Sequence, residues 1–133
     1  MDEITFEYLY TVEGYITFIV TVKAGAFSGA SGFCIAESWL KNAIFFLSDM
    51  YRTLNGSYQM DDYDSDDFMC FEMETLGHMK VTGQVGGSHN TKFLNYECRA
   101  DQTMLAEIIA SFKHMIAAPI SSAEHVARIQ STQ

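Results

Sequence analysis

The spacing of apolar residues switches along this chain, and that switch constrains the fold more than any other feature. Ile4, Phe6, Tyr8, Tyr10 and Val12 alternate with Thr5, Glu7, Leu9 and Thr11, a period of two that marks a half-buried strand. Glu13-Gly14 makes a tight connection, and Ile16, Phe18, Val20 and Val22 alternate again, so residues 4–22 read as a β-hairpin. Leu9 and Ile19 fall on the faces this pattern turns outward, which points to an edge or a homodimer contact. Between Glu37 and Leu54 the period changes: Trp39, Leu40, Ala43, Phe46, Leu47, Met50 and Leu54 recur at steps of three and four. That is one wide apolar stripe on a helix, with Ser38 as its expected cap and Asn55-Gly56 as its left-handed stop.

The remaining elements follow the same rules. Gly25 to Gly32 is small and flexible, and Phe33 to Ala36 reads as a third strand. Phe68 to Thr75, His78 to Val85 and Lys92 to Arg99 read as three more, with a turn at Gly86-Gly87-Ser88-His89-Asn90. Asp101 is positioned to cap a second helix carrying Met104, Leu105, Ile108, Ile109, Phe112, Met115 and Ile116, which Pro119 closes. The order is β-β-β-α-β-β-β-α. It predicts an α+β two-layer sandwich: an antiparallel sheet of about six strands with two amphipathic helices on one face. Residues 1–118 are expected to form a single domain, and residues 119–133 a C-terminal tail, either a short helix or disordered.

Charge narrows the partners. Seventeen acidic residues against eight basic ones give a net charge of −9, which disfavours nucleic acid and anionic membranes, since both present phosphates. The imbalance is concentrated. Between Gly56 and Glu74 stand seven carboxylates and no Lys or Arg, five of them in Asp61-Asp62-Tyr63-Asp64-Ser65-Asp66-Asp67. Mutual repulsion predicts a solvated loop unless a cation or a basic partner compensates it. The spacing Asp62-x-Asp64-x-Asp66 begins like a calcium loop. It fails at Asp67, where glycine is needed, and at Met73, where a bidentate Glu is expected. The sharper reading makes Asp61, Asp62, Tyr63, Asp64, Asp66 and Asp67 a partner-binding face.

Other candidate chemistry is weaker. Gly25-x-x-x-Gly29-x-x-Gly32 leads into a strand, not a helix N-terminus, so it is not a phosphate cradle. His78, His89, His114 and His125 lack ligand spacing, so no metal and no cofactor are expected. Cys34, Cys70 and Cys98 lack CxxC spacing and sit in strand-like contexts, which predicts buried reduced thiols. Trp39, Phe46 and Met50 lie on the helix stripe and read as core. Met1 leads into Asp2 and Glu3, so no signal peptide is expected, and no apolar run approaches the roughly 18 residues a membrane span requires. A cytoplasmic location fits these readings.

Gly77-His78-Met79-Lys80-Val81-Thr82-Gly83, followed by Asp101-Gln102-Thr103-x-Leu105, resembles the WapI-type bacterial immunity proteins and their relatives, and the helix ending in Leu54-Asn55-Gly56 fits the same layout. The resemblance covers residues 32–116. Its motif residues have structural explanations: Gly77 permits a turn, Gly83 a bulge or close backbone approach, and Asp101 a cap. The resemblance implies a non-enzymatic protein with no catalytic residues, which binds and neutralises a cognate polymorphic toxin domain. Such domains commonly carry basic surfaces, which an acidic loop would complement. The alternative is a small-molecule-binding domain or minor enzyme with a pocket between sheet and helices.

Overall fold

Two antiparallel meanders, each running directly into a helix, make up most of the chain. A computed structural model describes residues 2–131. The first meander is β1 (Glu3–Val12), β2 (Tyr15–Ala24) and β3 (Phe27–Ala36), and α1 (Glu37–Thr53) follows it without a break. The second is β4 (Ser57–Asp61), β5 (Phe68–Met73), β6 (His78–Val85) and β7 (Leu94–Asp101), leading into α2 (Gln102–Ala117). A 3-10 turn at Thr75–Gly77 precedes β6, and α3 (Ser122–Ser131) ends the described chain.

The α+β class and the antiparallel pairing match the pattern read from the sequence. The single six-stranded sheet does not: there are two sheets, ordered β1-β2-β3 and β4-β5-β6-β7. The additional strand is β4, which pairs with β5 from Ser57↔Glu72 to Asp61↔Phe68. It is only five residues long, and three of them are polar, so its alternation merges with the acidic run that follows. In the first meander β3 is longer than expected. It starts at Phe27, so Gly25-Ala26 is a two-residue turn and Gly29 and Gly32 lie inside a strand.

Local chemistry explains the boundaries. Glu13 (φ 50°) and Gly14 (φ 81°) are both left-handed, the geometry that matches the twist of the flanking strands. Leu9 is an extra residue in β1, between the Tyr8↔Phe18 and Tyr10↔Thr17 pairs. The bulge breaks the strict alternation assumed for that strand and leaves Leu9 half-buried. Helix α1 begins one residue before Ser38, with Ala36 in the cap position and no side-chain cap. Its left-handed stop is Leu54 (φ 56°), whose N–H donates to the Met50 carbonyl at 2.8 Å, one residue ahead of the expected Asn55-Gly56. Asp101 caps α2 as read, accepting from the Met104 N–H at 3.2 Å.

One core joins both halves. Phe18, Phe71 and Phe112 come from β2, β5 and α2 and are all fully buried. Phe6 stands edge-on to Phe112 with ring centroids 5.0 Å apart, and Phe18 stacks on Phe33 at 5.4 Å. Helices α1 and α2 pack on each other. From α1 the core receives Leu40, Ala43, Leu47 and Met50, so Met50 is core as expected. Trp39 and Phe46 are not: they lie on the flank of the stripe and are 60% and 48% exposed. The apolar arc is wider than the surface available to cover it. At the far end, α3 packs against β1, with the Ile120 N–H donating to Tyr8 Oη at 2.8 Å. Among the described residues no single helix is long and apolar enough to cross a membrane.

Gly83 has the close approach anticipated for it. A Cβ there would strike the Phe68 carbonyl oxygen and, at 2.5 Å, the Tyr96 hydroxyl. Replacing Gly83 with Ala is expected to cost roughly 1–3 kcal/mol by overpacking, measurable by urea denaturation. The Tyr96 hydroxyl itself is buried without a hydrogen-bond partner among the described residues. Tyr96→Phe removes that unsatisfied group and should leave stability unchanged or raise it by about 1 kcal/mol; clear destabilisation would contradict this.

Candidate functional site

The acidic loop divides into an inner and an outer half. Inward, Asp67 is almost fully buried. Its Oδ1 accepts from the Gly87 N–H at 2.8 Å and from Gln84 Nε2 at 3.0 Å. Its Oδ2 accepts from the Gly86 N–H and from Ser31 Oγ, both at 3.1 Å. Gly86 (φ 101°) and Gly87 (φ 73°) are left-handed. Consecutive N–H groups in such a turn converge into an anion-binding nest. Asp66, though exposed, joins the same cradle, accepting from the Ser88 N–H at 2.9 Å, from Gln84 Nε2 at 2.8 Å and from the Ser88 hydroxyl.

Asp62 acts on the other side. Its Oδ1 accepts from the Cys34 N–H at 2.7 Å and its Oδ2 from Ser65 Oγ at 2.6 Å, while the Tyr63 N–H donates to the Cys34 carbonyl at 2.8 Å. The loop thus hydrogen-bonds along the free edge of β3 while anchored to the end of β6, and it bridges the two sheets. Asp62 and Asp67 are therefore not solvated, contrary to the expectation for the whole heptapeptide. Neutral donors replace the water that repulsion seemed to demand. The three Asp residues of the calcium-like spacing do not converge on a common point: Asp62 serves β3, Asp66 serves the nest, and Asp64 is exposed.

Outward, Asp61, Tyr63 and Asp64 are exposed. Asp61 and Tyr63 border a cleft of about 400 Å³ lined by Tyr15, Ile35, Ala36, Trp39, Tyr58, Gln59, Met60, Asp61, Asp62 and Tyr63. Tyr15 packs against Tyr63 with centroids 4.9 Å apart, and Tyr58 stacks on Phe46 at 5.3 Å with planes 16° apart. The cleft lies where the start of β2 and the end of β3 meet the first turn of α1 and strand β4. Burial, reinforced by the Asp61 charge, raises the Tyr58 phenol above its ordinary range, and the neighbouring Tyr63 does the same to Tyr15. Both are neutral hydroxyls near pH 7.

The surrounding charges do not neutralise the loop. The ion pairs Glu37–Lys41, Asp49–Arg52, Glu72–Lys80, Glu74–Arg99 and Glu97–Arg99 all lie elsewhere. Among the described residues no basic side chain pairs with Asp61, Asp62, Asp64, Asp66 or Asp67. The histidines are spread over β6, the β6–β7 turn, α2 and α3. Among the described residues no group of three or more His, Cys, Asp or Glu side chains is placed to hold a metal ion. Cys98 is buried, with its thiol pushed up to about 11 by burial, whereas Cys34 and Cys70 are half-buried, not fully buried.

No family model and no curated protein matches the chain. Among solved structures, the crystal structure of WHY3 from Arabidopsis thaliana is similar, with a TM-score of 0.53 at 11% identity, covering 98% of this chain and 90% of that one. The likeness is one of fold.

Hydrogen bonds from the Ser88 hydroxyl and then the Ser88 N–H hold the Asp66 carboxyl down at about 2, from an ordinary 3.8. A depressed pKa gives stability that is full above pH 3.8 and lost as the pH falls towards 2. Ser88→Ala should raise the Asp66 pKa, read by carboxyl NMR titration, and move acid unfolding to higher pH. Asp67→Ala leaves the N–H groups of Gly86 and of the buried Gly87 unmatched and Gln84 Nε2 with Asp66 alone, and should cost on the order of 3 kcal/mol in chemical denaturation.

Proposed function

We propose that this protein is a non-enzymatic binding protein of the WapI immunity type, which neutralises a cognate basic toxin domain through the face formed by the 61–67 loop and the adjoining aromatic cleft. The observation that carries this reading is the set of five loop carboxylates without a basic partner among the described residues, set beside exposed Tyr63 and Trp39. Uncompensated charge attracts a basic partner over a distance of about a Debye length, roughly 8–10 Å at physiological salt. Exposed aromatic rings supply contact area at low entropic cost once the partner arrives.

Within the loop the roles divide. Asp62, Asp66 and Asp67 hold the loop's shape, while Asp61, Tyr63 and Asp64 face outward. A charge test therefore belongs on the outer pair. The protein is used to capture the C-terminal domain of a large secreted protein encoded next to its gene, and the affinity is followed against salt. Asp61→Asn with Asp64→Asn should slow association by roughly tenfold at low salt and flatten the salt dependence, with thermal stability unchanged. If no basic protein is retained, or if affinity and salt dependence are the same in the double variant, the reading fails. A small ligand in the same cleft is the second reading, favoured by its volume of about 400 Å³, which falls in the usual range for such sites.

A further inference from the structure

Resting on the protein-capture reading, we infer that the cleft between β3, the first turn of α1 and β4 is the receptor for an arginine side chain presented by the partner protein. Its walls are planar and its charge is negative. Tyr15 and Tyr63 form one tilted pair of rings, and Tyr58 and Trp39 add two more aromatic side chains to the lining. Asp61 uses Oδ1 to accept from Gln59 Nε2 at 2.9 Å, leaving Oδ2 with no partner among the described residues. A guanidinium suits such a site because it stacks on aromatic faces and offers a flat fork of donors to a carboxylate. An ammonium offers only a point charge and is more strongly hydrated.

Charge complementarity selects a cation, and the extent of the aromatic surface selects a protein. Phe45 and Phe46 continue the exposed rings along α1 beyond Trp39, at 69% and 48% exposure, an area that a free amino acid filling the cleft would leave uncovered. An aromatic cleft that holds a carboxylate oxygen with no partner among the described residues, with further exposed rings beside it, matches an anchor pocket within a larger protein contact.

Trp39 is the only tryptophan in the chain, so its fluorescence reports on the cleft directly. The probes are the blocked tripeptide acetyl-Leu-Arg-Leu-amide and versions with lysine, citrulline or glutamate at the centre, titrated into the full chain. Amide shifts in the ¹H–¹⁵N spectrum locate the contact. The arginine peptide should perturb Trp39 saturably and shift residues 58–63, binding roughly tenfold tighter than the neutral citrulline isostere. Tyr63→Ala and Asp61→Asn, both on exposed residues, should each abolish most of that preference while leaving the melting temperature unchanged. A silent Trp39, equal binding of citrulline, equal binding of lysine, or shifts confined to another face would each overturn the assignment. Free arginine amide binding as tightly as the tripeptide would overturn the protein-borne form and leave a small-molecule site. The two readings separate cleanly. An arginine-selective cleft in a chain that captures no basic protein removes the neutralisation reading alone. Capture with an unresponsive Trp39 removes the cleft assignment alone.

Discussion

The carboxylate of Asp67 in the Gly86–Gly87 nest is the contact on which the arrangement of the second half depends. It ties three places together: the start of β5, the end of β6, and Ser31 on the edge strand of the other sheet. A buried carboxylate without donors would be costly, and converging N–H groups without an anion would be equally unsatisfied. Each therefore makes the other tolerable. Two glycines with positive φ are needed to aim the N–H groups, and the loop must bend so that Asp66 and Asp67 both reach them. With that bend fixed, Asp61, Tyr63 and Asp64 are left on the outside.

This division changes how an acidic cluster is understood. Seven carboxylates in nineteen residues suggest one solvated patch, yet the inner carboxylates organise the loop and the outer ones are available to a partner. Neutral donors stabilise the inner carboxylates without cancelling their charge, so the whole cluster still contributes to the field outside. The aromatic cleft sits within that field. Its neighbourhood in α1 is apolar because the helix carries more large residues than the core can cover, and Trp39, Phe45 and Phe46 are the excess.

Legibility varied with the range of the interactions involved. The first hairpin, α1, the Asp101 cap and the tight approach at Gly83 could be read because they are governed by alternation, helical periodicity or a single special residue. Strand β4 was hidden, since five residues with polar outward positions resemble the loop they lead into. The sheet count was hidden as well, because periodicity says which residues face inward but not which strands pair. At the candidate site, the acidic residues were visible, whereas Tyr15, Trp39 and Tyr58 were not associated with them. Gly86-Gly87-Ser88 directly after a strand is the available signal for an anion nest, one that a turn alone does not convey.

By itself, the sequence determined the α+β class, the antiparallel strands, two amphipathic helices and a concentration of negative charge, because each of these follows from neighbours a few residues apart. Only the tertiary structure decided that the strands split into two sheets, that Asp62 and Asp67 turn inward, and that Tyr15 and Trp39, from distant segments, join Tyr58 and Tyr63 beside Asp61. Those outcomes depend on which donors and which apolar surfaces come together across long sequence separations. Ser31, Cys34, Gln84 and Gly87 meet the loop through contacts spanning 17 to 36 positions, and no local pattern encodes such pairings.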